Sequence, residues 1–231
     1  PNLFTLSALF FGFYAVVAGI QGRYQDAAIA IVLGLIMDSL DGRVARLMHT
    51  QSDFGADLDS LSDVISFGLA PALVMYLWQL QHFGQWGWAV AFTYVASVAL
   101  RLAKFNNVSD KRPNNYFQGL PCPAPAGLLA GLLWTVEQSE SVWFDSHMGG
   151  IALMILMLSL SALMLSSIPY YSGKKAGNSG KVSFYAVVFV VLLLVVFSII
   201  PAIFTLAFFS GYVIYGVLAA GWSCLKGKCC G

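Results

Sequence analysis

At 231 residues the chain is long enough for one or two soluble domains, yet 58% of it is hydrophobic, only 10% is charged, and its mean hydropathy is +0.75. Water-soluble domains carry roughly 25% charged residues, so the composition excludes a soluble globular domain, along with disordered, collagen-like, coiled-coil and nucleic-acid-binding classes. The net charge of +1 says little about partners, and four cysteines, three of them in the last eight residues, do not suggest a disulfide framework.

A membrane-crossing helix needs about 20 predominantly apolar residues. Runs of that kind lie at residues 3–20, 27–47, 55–78, 87–105, 120–136, 149–168, 182–199 and 202–222. The predicted fold class is therefore an all-α integral membrane protein, a polytopic bundle of about eight transmembrane helices. The first run has no basic segment before it and no small-residue cleavage site, so it is read as a retained span. The chain opens at Pro1 without a methionine, and a short preceding piece is expected. The last two runs are almost continuous from Val182 to Trp222, with Pro201 as the expected turn. Placing the 47–54 loop in the cytoplasm puts eleven cations there (Arg43, Arg46, Arg101, Lys104, Lys111, Arg112, Lys174, Lys175, Lys181, Lys226 and Lys228) and leaves Arg23 outside. Both termini are then cytoplasmic. Trp78, Trp86, Trp88 and Trp222 fit an interfacial aromatic belt.

The second and third spans carry charges that lipid disfavours. Asp38 and Asp41 are i, i+3, and Asp59 and Asp63 are i, i+4, so each pair shares a helix face. The short loop between the spans lets the two pairs face each other across a helical hairpin. A lone aspartate at a helix end is ordinarily a cap or a solvated group, and Asp53 and Asp57 fit that reading. Four at two helical spacings on adjoining spans repel unless cations neutralise them. An all-oxygen ligand set selects hard ions such as magnesium, manganese or calcium, and magnesium is commonly shared between carboxylates and substrate phosphates. Arg46 is placed to hold a phosphate oxygen, and Gly42 and Ala45 leave a bare helix surface beside the acids.

The residues Asp38-x2-Asp41-Gly42-x2-Ala45-Arg46-x8-Gly55-x3-Asp59-x3-Asp63 match at every position the pattern of the CDP-alcohol phosphotransferases. The chain thus resembles that family of membrane enzymes, which displace CMP from a CDP-linked lipid or alcohol with a second alcohol. The resemblance implies that Asp38, Asp41, Asp59 and Asp63 surround two divalent ions, Mg2+ or Mn2+, and that Asp63 is the general base. It also implies that Gly42, Ala45, Arg46 and Gly55 line the CDP-lipid surface, joined by Asn2 and Thr5 from the entry to the first helix. A six-helix catalytic core over 1–170 and an additional transmembrane hairpin with a cytoplasmic tail over 171–231 follow from the same resemblance, as does a homodimer.

The motif leaves the acceptor open. Arg101 and Phe105 are i, i+4 on one face with Lys104 and Asn106 beside them. A guanidinium and an amide against an aromatic wall can hold a small zwitterion by its carboxylate; equally, Arg101 and Lys104 serve as positive-inside anchors. The stretch from Arg101 to Asn106, followed by Phe117-x-Gly119-Leu120-Pro121-x-Pro123, resembles the phosphatidylserine synthase branch. That resemblance implies CDP-diacylglycerol and L-serine as substrates and a serine pocket of Arg101, Phe105 and Asn106. Lys104 stands where that branch commonly has arginine. A sibling enzyme taking glycerol-3-phosphate or inositol phosphate would call for a further basic cluster, which Lys111 and Arg112 can supply; archaetidylserine synthesis shares the serine headgroup. A cation transporter using the aspartates is the alternative from another class, and the clustering of acids at one membrane face argues against it. His49, His82 and His147 are scattered and carry no expected role.

Overall fold

A computed structural model describes residues 2–48, 53–108, 116–139, 147–166, 169–171 and 184–225. For 45–48, 53, 105–108, 116–118, 169–171, 184–190, 194 and 219–225 the description extends to the backbone alone. Helices occupy every predicted span: α1 (Asn2–Ile20), α2 (Tyr24–Met48), α3 (Asp53–Asp63) continuing through a π-helical segment (Val64–Leu69) into α4 (Ala70–Trp78), α5 (Gln85–Val108), α6 (Pro123–Ser139), α7 (His147–Leu165), α8 (Phe184–Ile199) and α9 (Pro201–Leu225). Among the described residues, five stretches are long and apolar enough to cross a bilayer, namely α1, Phe54–Trp78, most of α5, α7 and most of α9. The protein is an all-α membrane protein with one small addition. β1 (Tyr116–Gln118) and β2 (Pro169–Tyr171) pair antiparallel, Phe117 opposite Tyr170, and tie the approach to α6 to the exit from α7.

Small residues decide how closely the helices approach. On α1 the buried positions Thr5, Ala8, Gly12, Ala15 and Gly19 recur at three- and four-residue steps, which makes one narrow stripe. Leu3, Leu6, Phe10 and Phe13 point outward. A side chain at Gly12 would stand 2.8 Å from the Cα of Ser66, so the crossing of α1 with the third span requires glycine there. Two hydroxyls stitch the same seam: Ser62 donates to the carbonyl of Thr5 at 3.2 Å, and Ser66 to that of Ala8 at 3.1 Å. Interhelical bonds of this kind are worth about 0.6 kcal/mol each in a membrane.

The π-helical segment has a local cause. Pro71 lies in the first turn of α4; it has no N–H to donate, and its ring crowds the carbonyl four residues back. That carbonyl belongs to Phe67, and the fully buried Tyr94 of α5 donates its hydroxyl to it at 3.2 Å. The irregular turn is thereby satisfied inside protein, as irregular backbone at membrane depth must be.

α6 is buried nearly all round and forms the centre of the bundle. Its Gly127 and Gly131 are the close-approach face for α9: a Cβ at Gly127 would meet the ring of Phe209 at 2.3 Å, and one at Gly131 the backbone nitrogen of Leu206 at 2.7 Å. The G-x3-G spacing in the sequence is therefore a packing face. Gly211 on α9 has no such neighbour within 4 Å. Replacing Gly131 by alanine is expected to cost about 1–3 kcal/mol as overpacking against backbone. Gly211→Ala should gain up to about 1 kcal/mol from helix propensity. Thermal unfolding of the two variants in detergent micelles checks this, and equal midpoints would contradict the α6–α9 contact.

Candidate active site

The hairpin of α2 and α3 brings three of the four predicted acids together. One carboxylate oxygen from each of Asp38, Asp59 and Asp63 lies within 4.8 Å of the others. All three are half-buried. Asp63 is the residue at which the helix passes into the π-helical segment, and its carboxylate makes no capping hydrogen bond, so the ordinary helix-end role does not account for it. Among the described residues the one ion pair is Arg23–Asp26, at the far end of α2. No described lysine or arginine therefore pairs with the three acids. At an effective dielectric of 20, two unit charges at such a distance repel by about 3.5 kcal/mol. The arrangement calls for a cation.

Asp41 is not one of the three whose oxygens lie within 4.8 Å, although its charge reaches Asp38 and Asp59, and α1 contacts it directly. The hydroxyl of Thr5 donates to its Oδ2, the residue is 7% exposed, and its Oδ1 is buried without a hydrogen-bond partner. A buried carboxylate oxygen left unsatisfied costs free energy unless a ligand meets it. That orphaned atom and an oxygen-only donor set both fit a hard divalent cation. Asp38, Asp59 and Asp63 would hold it, with Asp41, the fourth acid of the motif, in electrostatic range of Asp38 and Asp59.

Thr5, predicted on the CDP-lipid surface, has its hydroxyl engaged by Asp41 and is buried; Asn2 is exposed at the start of α1. Gly42 is exposed, and a Cβ there would meet nothing within 4 Å. Gly55 is half-buried on α3. The side chains of Ala45 and Arg46, and those of Phe105 and Asn106, lie outside the described residues, as do Lys111 and Arg112.

Arg101 is half-buried on α5, close enough to Asp63 for their charges to interact. Its Nη1 donates to the Sγ of Cys122 at 3.0 Å, and its Nε is buried without a partner. Tyr212 of α9 lies within electrostatic range of the same guanidinium. Cys122 and Tyr212 were not expected at the site. Cys122 occupies a variable position in the Pro-x-Pro segment, and Tyr212 is more than a hundred residues from Arg101 with no motif around it.

Three acids thus converge at the end of a helical hairpin, near the exposed Gly42 and with Arg101 in electrostatic range of Asp63. The profile of the CDP-alcohol phosphatidyltransferase family matches residues 1–217. The chain belongs to that family. It is similar to the CDP-diacylglycerol–serine O-phosphatidyltransferase of Helicobacter pylori, 36% identical over 94% of this chain and 89% of that protein. It is also similar to the protein of the same description from Methanocaldococcus jannaschii, 36% identical over 88% of each chain. The archaetidylserine synthase of Methanothermobacter thermautotrophicus is 33% identical over 74% of this chain and 68% of its own. The family match takes in α9 up to Val217, and so includes Tyr212.

If the phosphatidyltransferase acids hold a divalent ion, Mn2+ at 100 times its dissociation constant should stabilise the fold by about 2.7 kcal/mol. Asp59→Asn should remove most of that gain. Unfolding midpoints with Mn2+ and with a chelator read the effect, and a midpoint indifferent to Mn2+ in the unsubstituted protein would contradict it.

Proposed function

We propose that the chain transfers the phosphatidyl group of CDP-diacylglycerol to the hydroxyl of L-serine and releases CMP. The observation that carries this reading is that Arg101 lies within electrostatic range of Asp63: a guanidinium able to hold a carboxylate shares the site with an acid able to take a proton. The names of the relatives support the same donor and acceptor. An archaetidyl donor, as the name of the Methanothermobacter relative indicates, would leave the acceptor unchanged.

In this reaction serine binds with its carboxylate on Arg101, the planar fork giving two parallel hydrogen bonds, and Phe105 and Asn106 complete the pocket. The serine hydroxyl attacks the phosphorus that bears the diacylglycerol, and its proton passes to Asp63 as general base. The bond from that phosphorus to the bridging pyrophosphate oxygen breaks, and CMP departs. One displacement suffices, with no phosphatidyl-enzyme intermediate. The nucleotide lies over Gly42 and Ala45 with Gly55 and Asn2 at its margins, Arg46 holds a phosphate oxygen, and Thr5 orients Asp41. Asp38, Asp41, Asp59 and Asp63 would hold two divalent ions, Mg2+ or Mn2+, which would neutralise the phosphate charge. The acyl chains remain in lipid. The acidic end of the bundle faces the cytoplasm, where serine is found, with both termini on that side and the protein a homodimer in the bilayer.

Two kinetic outcomes follow. Asp63→Asn should lower turnover by about 10²–10⁴-fold, the usual worth of a positioned base, while CDP-diacylglycerol still binds. Arg101→Ala should raise KM for serine far more than KM for CDP-diacylglycerol. CMP release measured across both substrates separates the two effects. Retained turnover in Asp63→Asn would remove the general base, and equal rises in both KM values would remove the serine pocket.

A further inference from the structure

The environment of Arg101 raises the question of what aims it. Its described polar partner is a thiol, not an acid, and that thiol stands on an unusually fixed piece of backbone. Gly119 has φ +81°, and a Cβ there would meet the carbonyl oxygen of Met164 at 2.4 Å, so the turn admits only glycine. The N–H of Leu120 donates to the carbonyl of Leu163 at 3.2 Å, locking the segment to the end of α7, and the N–H of Ala124 donates to that of Pro121 at 3.0 Å. Pro123 then opens α6. Cys122 lies between these restraints and is fully buried. Its Sγ is a peg held by two helices and two prolines.

Arg101 meets that peg through Nη1 at 3.0 Å, while its Nε is buried and unpartnered. A guanidinium offers five N–H donors and a thiol is a weak, uncharged acceptor. The contact therefore fixes the plane of the guanidinium without cancelling its charge. A carboxylate at position 122 would have done both. The contact leaves its other N–H donors unused, and its charge acts on Asp63 and on Tyr212 of α9.

We propose that Cys122 is a positioning residue for the acceptor: its thiol orients Arg101 so that the guanidinium fork meets a carboxylate-bearing alcohol beside Asp63. The inference rests on the reading of Arg101 as the carboxylate anchor. Cys122 itself touches no substrate, and its effect passes entirely through Arg101.

The test uses the full-length chain in mixed micelles with CDP-diacylglycerol and Mn2+, following CMP release. Loss of one hydrogen bond to a charged group predicts that Cys122→Ala raises KM for serine about tenfold. The kcat and the KM for CDP-diacylglycerol should hold within about twofold, and Cys122→Ser, whose hydroxyl accepts the same bond, should restore serine KM. In an Arg101→Ala background Cys122→Ala should add nothing, because the residue it positions is gone. A Cys122→Ala effect that multiplies fully with Arg101→Ala, or one that raises both KM values alike, would overturn the inference. An Arg101→Ala enzyme with unchanged serine KM would overturn the carboxylate anchor, and this inference with it. Should the alanine variant fail to fold, Cys122→Thr and Cys122→Val make the same comparison at matched shape, one with the acceptor and one without.

Discussion

Carboxylates repel one another, and a low-dielectric bundle magnifies that repulsion. Much of this structure is arranged around holding three of them, Asp38, Asp59 and Asp63, within 4.8 Å. The repulsion would open the α2–α3 hairpin if nothing opposed it. Opposition comes from α1. Its small-residue stripe lets it lie against the third span, where Ser62 and Ser66 donate to its carbonyls, and its Thr5 donates to Asp41. The first helix is thus a clamp on the acidic hairpin as well as a span. The cost that remains is electrostatic, and a bound divalent cation would remove it.

A second set of contacts frames the acceptor end. The π-helical segment directly after Asp63 is accommodated by Tyr94, which satisfies the Phe67 carbonyl; it sets the angle at which the third span leaves the acids. The same helix that carries Tyr94 carries Arg101 two turns further on. α6 contributes Cys122 at its start, and its glycine face admits α9, which brings Tyr212. The last helix is therefore built into the bundle beside the site. A charged residue on α5, a thiol before α6 and a phenol on α9 come together only because glycine permits two of those helices to touch.

What was legible in the sequence was whatever repeats at a helical or bilayer length. Apolar runs of about 20 residues marked the spans, and the i, i+3 and i, i+4 spacings put Asp38 with Asp41 and Asp59 with Asp63 on shared faces. Local spacing says nothing of which acid another helix will contact, so the hydrogen bond from Thr5 to Asp41 was not foreseeable. The π-helical segment depends on Pro71 and on a tyrosine two helices away. Cys122 and Tyr212 carry no periodic signal, because each is defined by one partner distant in sequence. The β1–β2 ladder escaped for the same reason: three-residue strands lie below the length at which alternation can be read.

The central claim is that this acidic, Arg101-bordered site passes a phosphatidyl group to an amino-acid alcohol. The most direct measurement is CMP release by the purified protein supplied with CDP-diacylglycerol, Mn2+ and one alcohol at a time: L-serine, glycerol-3-phosphate, an inositol phosphate, or ethanolamine, which has the amine and hydroxyl of serine but no carboxylate. Release with L-serine alone, accompanied by a serine-headgroup phospholipid, is the predicted result. Equal release with ethanolamine or glycerol-3-phosphate, or none with serine, would contradict the account.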